Sequence, residues 1–311
     1  MTKEVLAIGG VYLDINVPDF PINQDGLRPE TELVGAGYRL ELGGSVVTFA
    51  RLCNGLGLMS RLVGKVGADD FGDVVVRLLE QSHIQSDIVR DDNVQTNVSF
   101  NMVNPAGQTA MAVAGTANQS LGQDEVMDRV TEVLDDVDYI VLGGVFKLSR
   151  LMGAFEEIVR RAQQSKAKVV LDHGRISPSV SEADKQAVRS LIDAVDIYLP
   201  SRDEFMQLWG VASIEDGLNQ LAEHGDATVV VKDGGKGAVF RETGVVKTQE
   251  GFDVEPKNTV GAGDSFNAGF IAALVDGRTI QEAVRYANAV AALKISNGEL
   301  PIKENVASFI A

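Results

Sequence analysis

The chain has 311 residues, 45% of them hydrophobic and 23% charged, the make-up of a globular protein with an ample core in one large or two modest domains. A formal net charge of −16 argues against nucleic-acid binding, which needs basic surface to displace counterions. Cys53 is the single cysteine, and His83, His173 and His224 are widely spaced, so a disulfide framework is excluded and a cysteine or histidine metal site is disfavoured.

In chain order, residues 5–8 form a short apolar run closed by Gly9 and Gly10, the pattern of a buried parallel strand. No basic leader precedes this run and no later stretch has the length of a membrane span, so a cytoplasmic protein without membrane contact is expected. Residues 17–42, rich in Pro, Gly and Glu, break the regular pattern. Helical spacing follows over 47–56 and 72–81. Residues 93–121 alternate polar with apolar through Thr96, Val98, Phe100 and Met102, turn at 104–107, and continue through Thr109, Met111 and Val113, which predicts a β-hairpin. The alternation gives this hairpin one apolar face, which needs a cover. Apolar runs at 139–142, 168–171, 197–199 and 228–231 then alternate with helical patterns at 151–165, 184–192, 203–209 and 214–224. That alternation predicts an α/β fold, a mostly parallel central sheet with helices on both faces. Two consecutive helical patterns, 264–276 and 280–295, close the chain.

The run NTVGAGDSFNAGF over 258–270 carries the chemistry. Gly261, Ala262 and Gly263 let the backbone approach a ligand, and the first amides of the helix that follows have no internal partners, which makes an anion site. An acid at the next position repels a phosphate unless it serves to take a proton. The pairing suggests phosphoryl transfer, with residues 261–263 steadying developing charge and Asp264 as general base. An Asp cap after a glycine turn is the bland alternative.

Taken together, these pieces resemble the ribokinase-like (PfkB) family of carbohydrate and nucleoside kinases over essentially the whole chain. The run from Asn258 to Ile271 matches the family's C-terminal signature at every position. The N-terminal signature starts at Gly43 and Gly44 and keeps Ala50, Gly57 and Gly67, with Thr48 where Asn is usual and Val46 where a small residue is usual. The resemblance implies one ribokinase-like domain over 1–311, with a small β-sheet lid built from about 17–42 and 93–121 that closes over the substrate. It implies ATP and Mg²⁺ as cofactors, a sugar or nucleoside as acceptor, and a possible homodimer through the lid.

Residue by residue, it makes Asp264 the base and Gly261, Ala262 and Gly263 the anion hole. Asp14 becomes the acid that grips sugar hydroxyls, beside Gly43, Gly44, Ser45 and Thr48. Ser201, Lys232, Gly234, Gly237 and Asn288 fall to the nucleotide, with Asn288 facing the base, and Glu204 to Mg²⁺ through its waters. A potassium site would use positions near 258 and the 294–300 loop, but Asn258 replaces its usual Asp, and the requirement is open. Asp172 to Arg175 resembles a segment near the active site, in which Arg175 contacts an acidic part of the substrate or pairs with a carboxylate. No basic cluster can be placed at the acceptor from sequence, which disfavours a phosphosugar; Arg28, Arg39 and Arg175 are the residues to locate. A nucleoside kinase, and a catalytically silent sugar or nucleotide binder, are the alternatives.

Overall fold

Odd and even positions of the first strand, β1 (Glu4–Gly9), go to opposite cores. Val5 and Ala7 pack into one apolar cluster, Leu6 and Ile8 into another. Side chains alternate across a strand, so a sheet built this way is covered on both faces. The computed structural model describes residues 3–20, 34–35, 37–105, 109–222, 227–242 and 244–310. Its further strands are β2 (Tyr12–Val17), β3 (Arg39–Gly43), β4 (Met59–Gly67), β5 (Gln85–Asp91), β6 (Val98–Val103) and β7 (Thr109–Ala114). The C-terminal half adds β8 (Tyr139–Gly143), β9 (Lys168–Asp172), β10 (Ile197–Tyr198), β11 (Thr228–Lys232), β12 (Ala238–Glu242) and β13 (Val245–Gln249).

Nine of these form one sheet in the order β13-β12-β11-β10-β9-β8-β1-β4-β5, parallel throughout except for the antiparallel meander β11-β12-β13. Helices Ser45–Gly55, Asp70–Gln81, Ala262–Val275 and Ile280–Asn297 cover one face; Gln123–Val133, Met152–Ala162, Glu182–Ile192, Arg202–Trp209 and Ile214–Leu221 cover the other. The predicted α/β layering holds. Strands β4 and β5 and the β12-β13 hairpin are additions: their polar residues, such as Lys65 in β4, hide the strand pattern. Lys65 is buried because Asp91 at 2.8 Å and Glu125 at 3.0 Å pair with it.

A second sheet of four strands, β3-β2-β6-β7, stands at the carboxyl ends of the central strands. It contains the predicted hairpin but differs from expectation in three respects. Its second half begins at Tyr12, ahead of the expected 17–42 segment, and of that segment residues 21–33 and 36 lie outside the described residues. Residues 94–97 and 115–121 belong to the core: Asn118 is buried, and its side chain bonds both the amide and the carbonyl of Val11, at 3.0 and 3.1 Å.

The third difference is the hairpin register. It sets Phe100 opposite Ala112 and Asn101 opposite Met111. Residues directly opposite share a face, so Met111 and Val113 lie on the side opposite to Val98, Phe100 and Met102. The single apolar face expected from the alternation does not exist. Leu13, Leu42 and Val98 turn one side onto the central core, while the other side carries Asp14, Asn16, Glu41, Ser99 and Asn101. That polar side is internally bonded: Asn16 donates to Glu41 at 3.1 Å, Asn101 to Asn16 at 3.0 Å, and Ser99 to Asn101 at 2.9 Å. A homodimer through the lid therefore loses the apolar-face argument and keeps only the edge of β7, where Met111 and Val113 are exposed.

Candidate active site

Helix Ala262–Val275 begins at Gly261, whose φ of 77° is the left-handed conformation that glycine takes without strain. The Ala262 amide donates to the Thr259 carbonyl at 3.2 Å, while the amides of Gly263 and Asp264 meet no acceptor among the described residues. The Gly261 amide meets none either, so of the 261–263 trio only the Ala262 amide is committed. Upstream, Asn258 accepts from the Val260 amide at 2.9 Å and so shapes the turn.

Asp264 stands in the first helical turn and bonds Ser45, the first residue of helix Ser45–Gly55. Burial, reinforced by the negative charge of Asp172, pushes its carboxyl up to about 7; the Lys232 ammonium works in the other direction. Asp172 ends β9 and Lys232 ends β11, two parallel strands separated by β10. Lys232 donates to Asp172 at 2.8 Å and to Asn267 at 3.1 Å, and Asn267 donates to the same Asp172 oxygen at 2.6 Å. Burial pushes the Asp172 carboxyl up, but Lys232 and Asn267 outweigh it and hold Asp172 below the usual carboxylate range. Two carboxylates and one ammonium thus share a buried cluster. Only one acid has the cation close at hand, so the other, Asp264, keeps a high proton affinity near neutral pH.

Beside this cluster lies a cavity of about 760 Å³. One end is apolar, with Phe252, Val254, Ala291 and Ile295; the other is formed by Ser201, the Gly234–Gly237 turn, Ala262 and Gly263. Lys232 and Asn288 also line it. Asn288 donates to the Glu250 carbonyl at 3.2 Å, so it holds the 250–251 loop in place as well as facing the cavity. Gly237, at φ 98°, has no room for a side chain: a Cβ there would lie 2.1 Å from the Gln249 carbonyl. Glu204 accepts from the amide of Ser201 at 3.0 Å and from its hydroxyl at 2.6 Å, closing a capping box on helix Arg202–Trp209. One Glu204 oxygen is therefore committed to the helix.

The shape and chemistry of the cavity fit a nucleoside triphosphate: apolar walls for a base, glycine backbone for a ribose or phosphate, and open helical amides where the phosphate chain would end. They also fit Mg²⁺. That ion binds through one or two carboxylates together with phosphates and water, so a lone acid such as Glu204, bonded to the cavity-lining Ser201, suffices. No group of three or more candidate metal ligands exists among the described residues.

Asp14 lies beyond Ser45, on β2. Its carboxylate rests against Gly43, where a Cβ would come within 2.2 Å of it, and a Cβ on Gly44, at φ 106°, would strike the Gly10 carbonyl. The two glycines thus make room for an acid and a backbone turn rather than lying open. Burial and the charge of Glu41 push Asp14 up to about 6, against a downward pull from Lys147. Thr48 packs its methyl 3.3 Å from where a Gly261 Cβ would be, so helix Ser45–Gly55 meets the start of the helix that carries Asp264.

Contacts tie these residues together in pairs: Asp14 lies against Gly43, Ser45 bonds Asp264 and Thr48 packs at Gly261, while Ser201, Lys232, Gly234, Gly237, Ala262, Gly263 and Asn288 line the cavity. Lys147, Asn267 and Lys294 are additions that sequence reasoning missed. Lys147 follows the apolar run at 139–142 after two glycines, a strand-end position that could have marked it. Lys294 lies inside a helical pattern and carries no such signal.

The pfkB family carbohydrate kinase profile matches residues 4–302. Ribokinase of Haemophilus influenzae is 24% identical over 322 aligned positions, covering 100% of this chain and 99% of that protein. The ATP-dependent ribose-1-phosphate kinase of Halopiger xanaduensis is 28% identical, covering 86% of each. The structure of Arabidopsis thaliana ribokinase complexed with ribose and ATP superposes with a TM-score of 0.80 at 20% identity, covering 100% of this chain and 99% of the other. No helix among the described residues is long and apolar enough to cross a membrane.

Proposed function

The chain belongs to the pfkB family of carbohydrate kinases, and from that premise we propose that it moves the γ-phosphoryl group of ATP to a hydroxyl of a small sugar, with Asp264 as general base. The observation that carries this reading is the Asp264 carboxyl, lifted to about 7. It stands between the Asp14 cleft and the open amides that border the triphosphate-sized cavity. Asp264 takes the hydroxyl proton as the new O–P bond forms and the bond to the leaving ADP oxygen breaks. Such a transfer depends on placement and charge more than on covalent help. The Gly263 and Asp264 amides steady the charge on the moving group, while Lys232 and Asn267 fix Asp172 beneath it. Mg²⁺ held through water at Glu204 would neutralise phosphate charge. Asn288 and the Gly234–Gly237 turn hold the nucleotide, and the small sheet closes over the acceptor and excludes water.

A monovalent cation is not needed on this reading. The Lys294 ammonium donates to the Gly298 carbonyl at 2.9 Å, within the loop where the resemblance implies potassium, and its Cε lies 4.0 Å from a Gly261 Cβ position. ADP release from ATP and Mg²⁺ with a panel of sugars and nucleosides tests the proposal. Turnover with a sugar, equal in potassium and in Tris buffer, is expected. Release with nucleosides alone would replace it by a nucleoside kinase, and no release with any acceptor would leave a silent binder.

Asp14 is the group that grips acceptor hydroxyls on this reading, since a carboxylate accepts two at once. Asp14→Ala is expected to raise the acceptor KM by roughly 10- to 100-fold for each charge-assisted bond lost, at about 1.5–3 kcal/mol per bond, and to leave the KM for ATP nearly unchanged. A change confined to the ATP KM would move Asp14 to the nucleotide.

A further inference from the structure

The relatives' names include both a free sugar and a phosphorylated one, so the acceptor has to be read from this chain's own residues. Asp14 has a surrounding of mixed sign. Strand β1 runs through Gly9 and Gly10 into Tyr12 and Asp14, which share a face of the small sheet. Its neighbour β8 ends in Gly143 and leads through Gly144 into the turn that carries Lys147. Next in the sheet, β9 ends in Asp172 and leads through Gly174 to Arg175.

Glycine lets these two turns touch. Gly144 and Gly174 have φ of 66° and 69°, a Cβ on Gly174 would lie 3.2 Å from the Gly144 Cα, and the Gly144 amide donates to the Asp172 carbonyl at 2.9 Å. Lys147 and Arg175 are thereby set side by side at the carboxyl ends of adjacent strands, where open α/β sheets bind ligands. The Lys147 ammonium lies over the Tyr12 ring, 5.3 Å from its centre, and so leans toward the Asp14 face. Neither Lys147 nor Arg175 has an ion pair among the described residues. Arg175 is exposed rather than paired with a carboxylate. Glu41 lies across from Asp14 on β3, so two carboxylates face each other on the small sheet. Burial and the Arg175 charge push the Lys147 ammonium below its usual range, and Asp14 pulls it back up, which shows that the three groups share one field.

Resting on the kinase reading above, we infer that the acceptor is an anionic sugar whose hydroxyls bond Asp14 and whose carboxylate or phosphate group lies between Lys147 and Arg175. A neutral sugar would leave two adjacent cations unpaired at the mouth of the cleft. An anion at that place satisfies both and fixes which end of the sugar faces Asp264. The sequence expectation that no basic cluster adjoins the acceptor is thereby revised. Of the residues to locate, Arg28 is outside the described residues and Arg39 stands opposite Asn16, further from Asp14 than Glu41.

Matched acceptors test this: gluconate against glucose for a carboxylate, and ribose 5-phosphate against ribose for a phosphate. Two readouts are used, calorimetric titration without ATP and ADP release with it. One of the anionic probes is expected to bind at least about 10-fold more tightly than its neutral counterpart, and which of the two does so identifies the anion. Lys147→Met and Arg175→Gln should each erase most of that preference, while ATP binding and the thermal midpoint stay at wild-type values. Equal or weaker binding of both anionic probes, or a preference that survives both substitutions, overturns the inference. Turnover of neutral sugars alone would overturn it and leave the kinase reading intact. Anion binding without any ADP release would do the reverse.

Discussion

Replacing Asp264 by Asn is expected to lower kcat by about 10²–10⁴, the range for loss of a general base, with ATP affinity nearly unchanged. The amide keeps the size and the bond to Ser45 but has no proton affinity to offer. In the wild type, the carboxyl lifted to about 7 must be ionised to work, so kcat/KM should rise with pH and level off above that value. The sign for stability is the opposite. Between the ordinary value of 3.8 and about 7 the folded protein holds a proton that the unfolded chain has released. The stabilising contribution is complete below 3.8 and is lost as pH rises through about 7. Asp264→Asn should therefore be nearly inactive yet at least as stable as wild type at pH 8. Steady-state rates and urea unfolding at pH 6 and pH 8 check both parts. Activity within threefold of wild type would remove Asp264 from the reaction.

Lys232→Met should be the most destabilising single change at the site. Lys232 and Asp172 are 9% and 13% exposed in their side chains and 2.8 Å apart. Removing one partner of a buried pair typically costs about 3–5 kcal/mol because the other charge stays buried and unpaired. Here the remaining acids are two, Asp172 and Asp264. Adding Asp172→Asn should recover much of the loss, since Asn267 can bond an amide in place of the carboxylate. Activity of the single variant should also need a higher pH, because the cation that restrains Asp264 is gone. Urea unfolding of the two single variants and the double variant measures the coupling, and a loss below about 1 kcal/mol for Lys232→Met would show that the pair is solvated rather than buried.

Much of this was legible in the residues because it depends on local pattern. Short apolar runs mark strands whose both faces are buried, and β1, β8, β9 and β11 are where those runs stand. The glycine pair ahead of Asp264 marks a helix start with open amides, since only that backbone conformation leaves an acid beside unpaired donors. Strands β4 and β5 were not legible, as Lys65 and Asp91 in them read as surface until their ion pair is seen. The small sheet was half legible. Alternation shows that residues 98–103 and 109–114 are strands, but which faces coincide depends on how many residues the turn takes up, and one residue of register exchanges the faces.

By itself, then, the sequence determined the α/β layering and singled out Asp264 at a helix start, because both follow from the spacing of neighbours along the chain, whereas Asp14 was reached only through the family resemblance. The tertiary structure alone decided what surrounds those acids. Asp172, Lys232 and Asn267 come from β9, β11 and the helix after Gly261, and Lys147 and Arg175 from the ends of β8 and β9. A proton affinity or a preference for an anion is a sum of charges over a few ångströms of space, and residues far apart in the chain, such as Asp172 and Asn267 at 95 positions, contribute to it only once the sheet has placed its strand ends side by side.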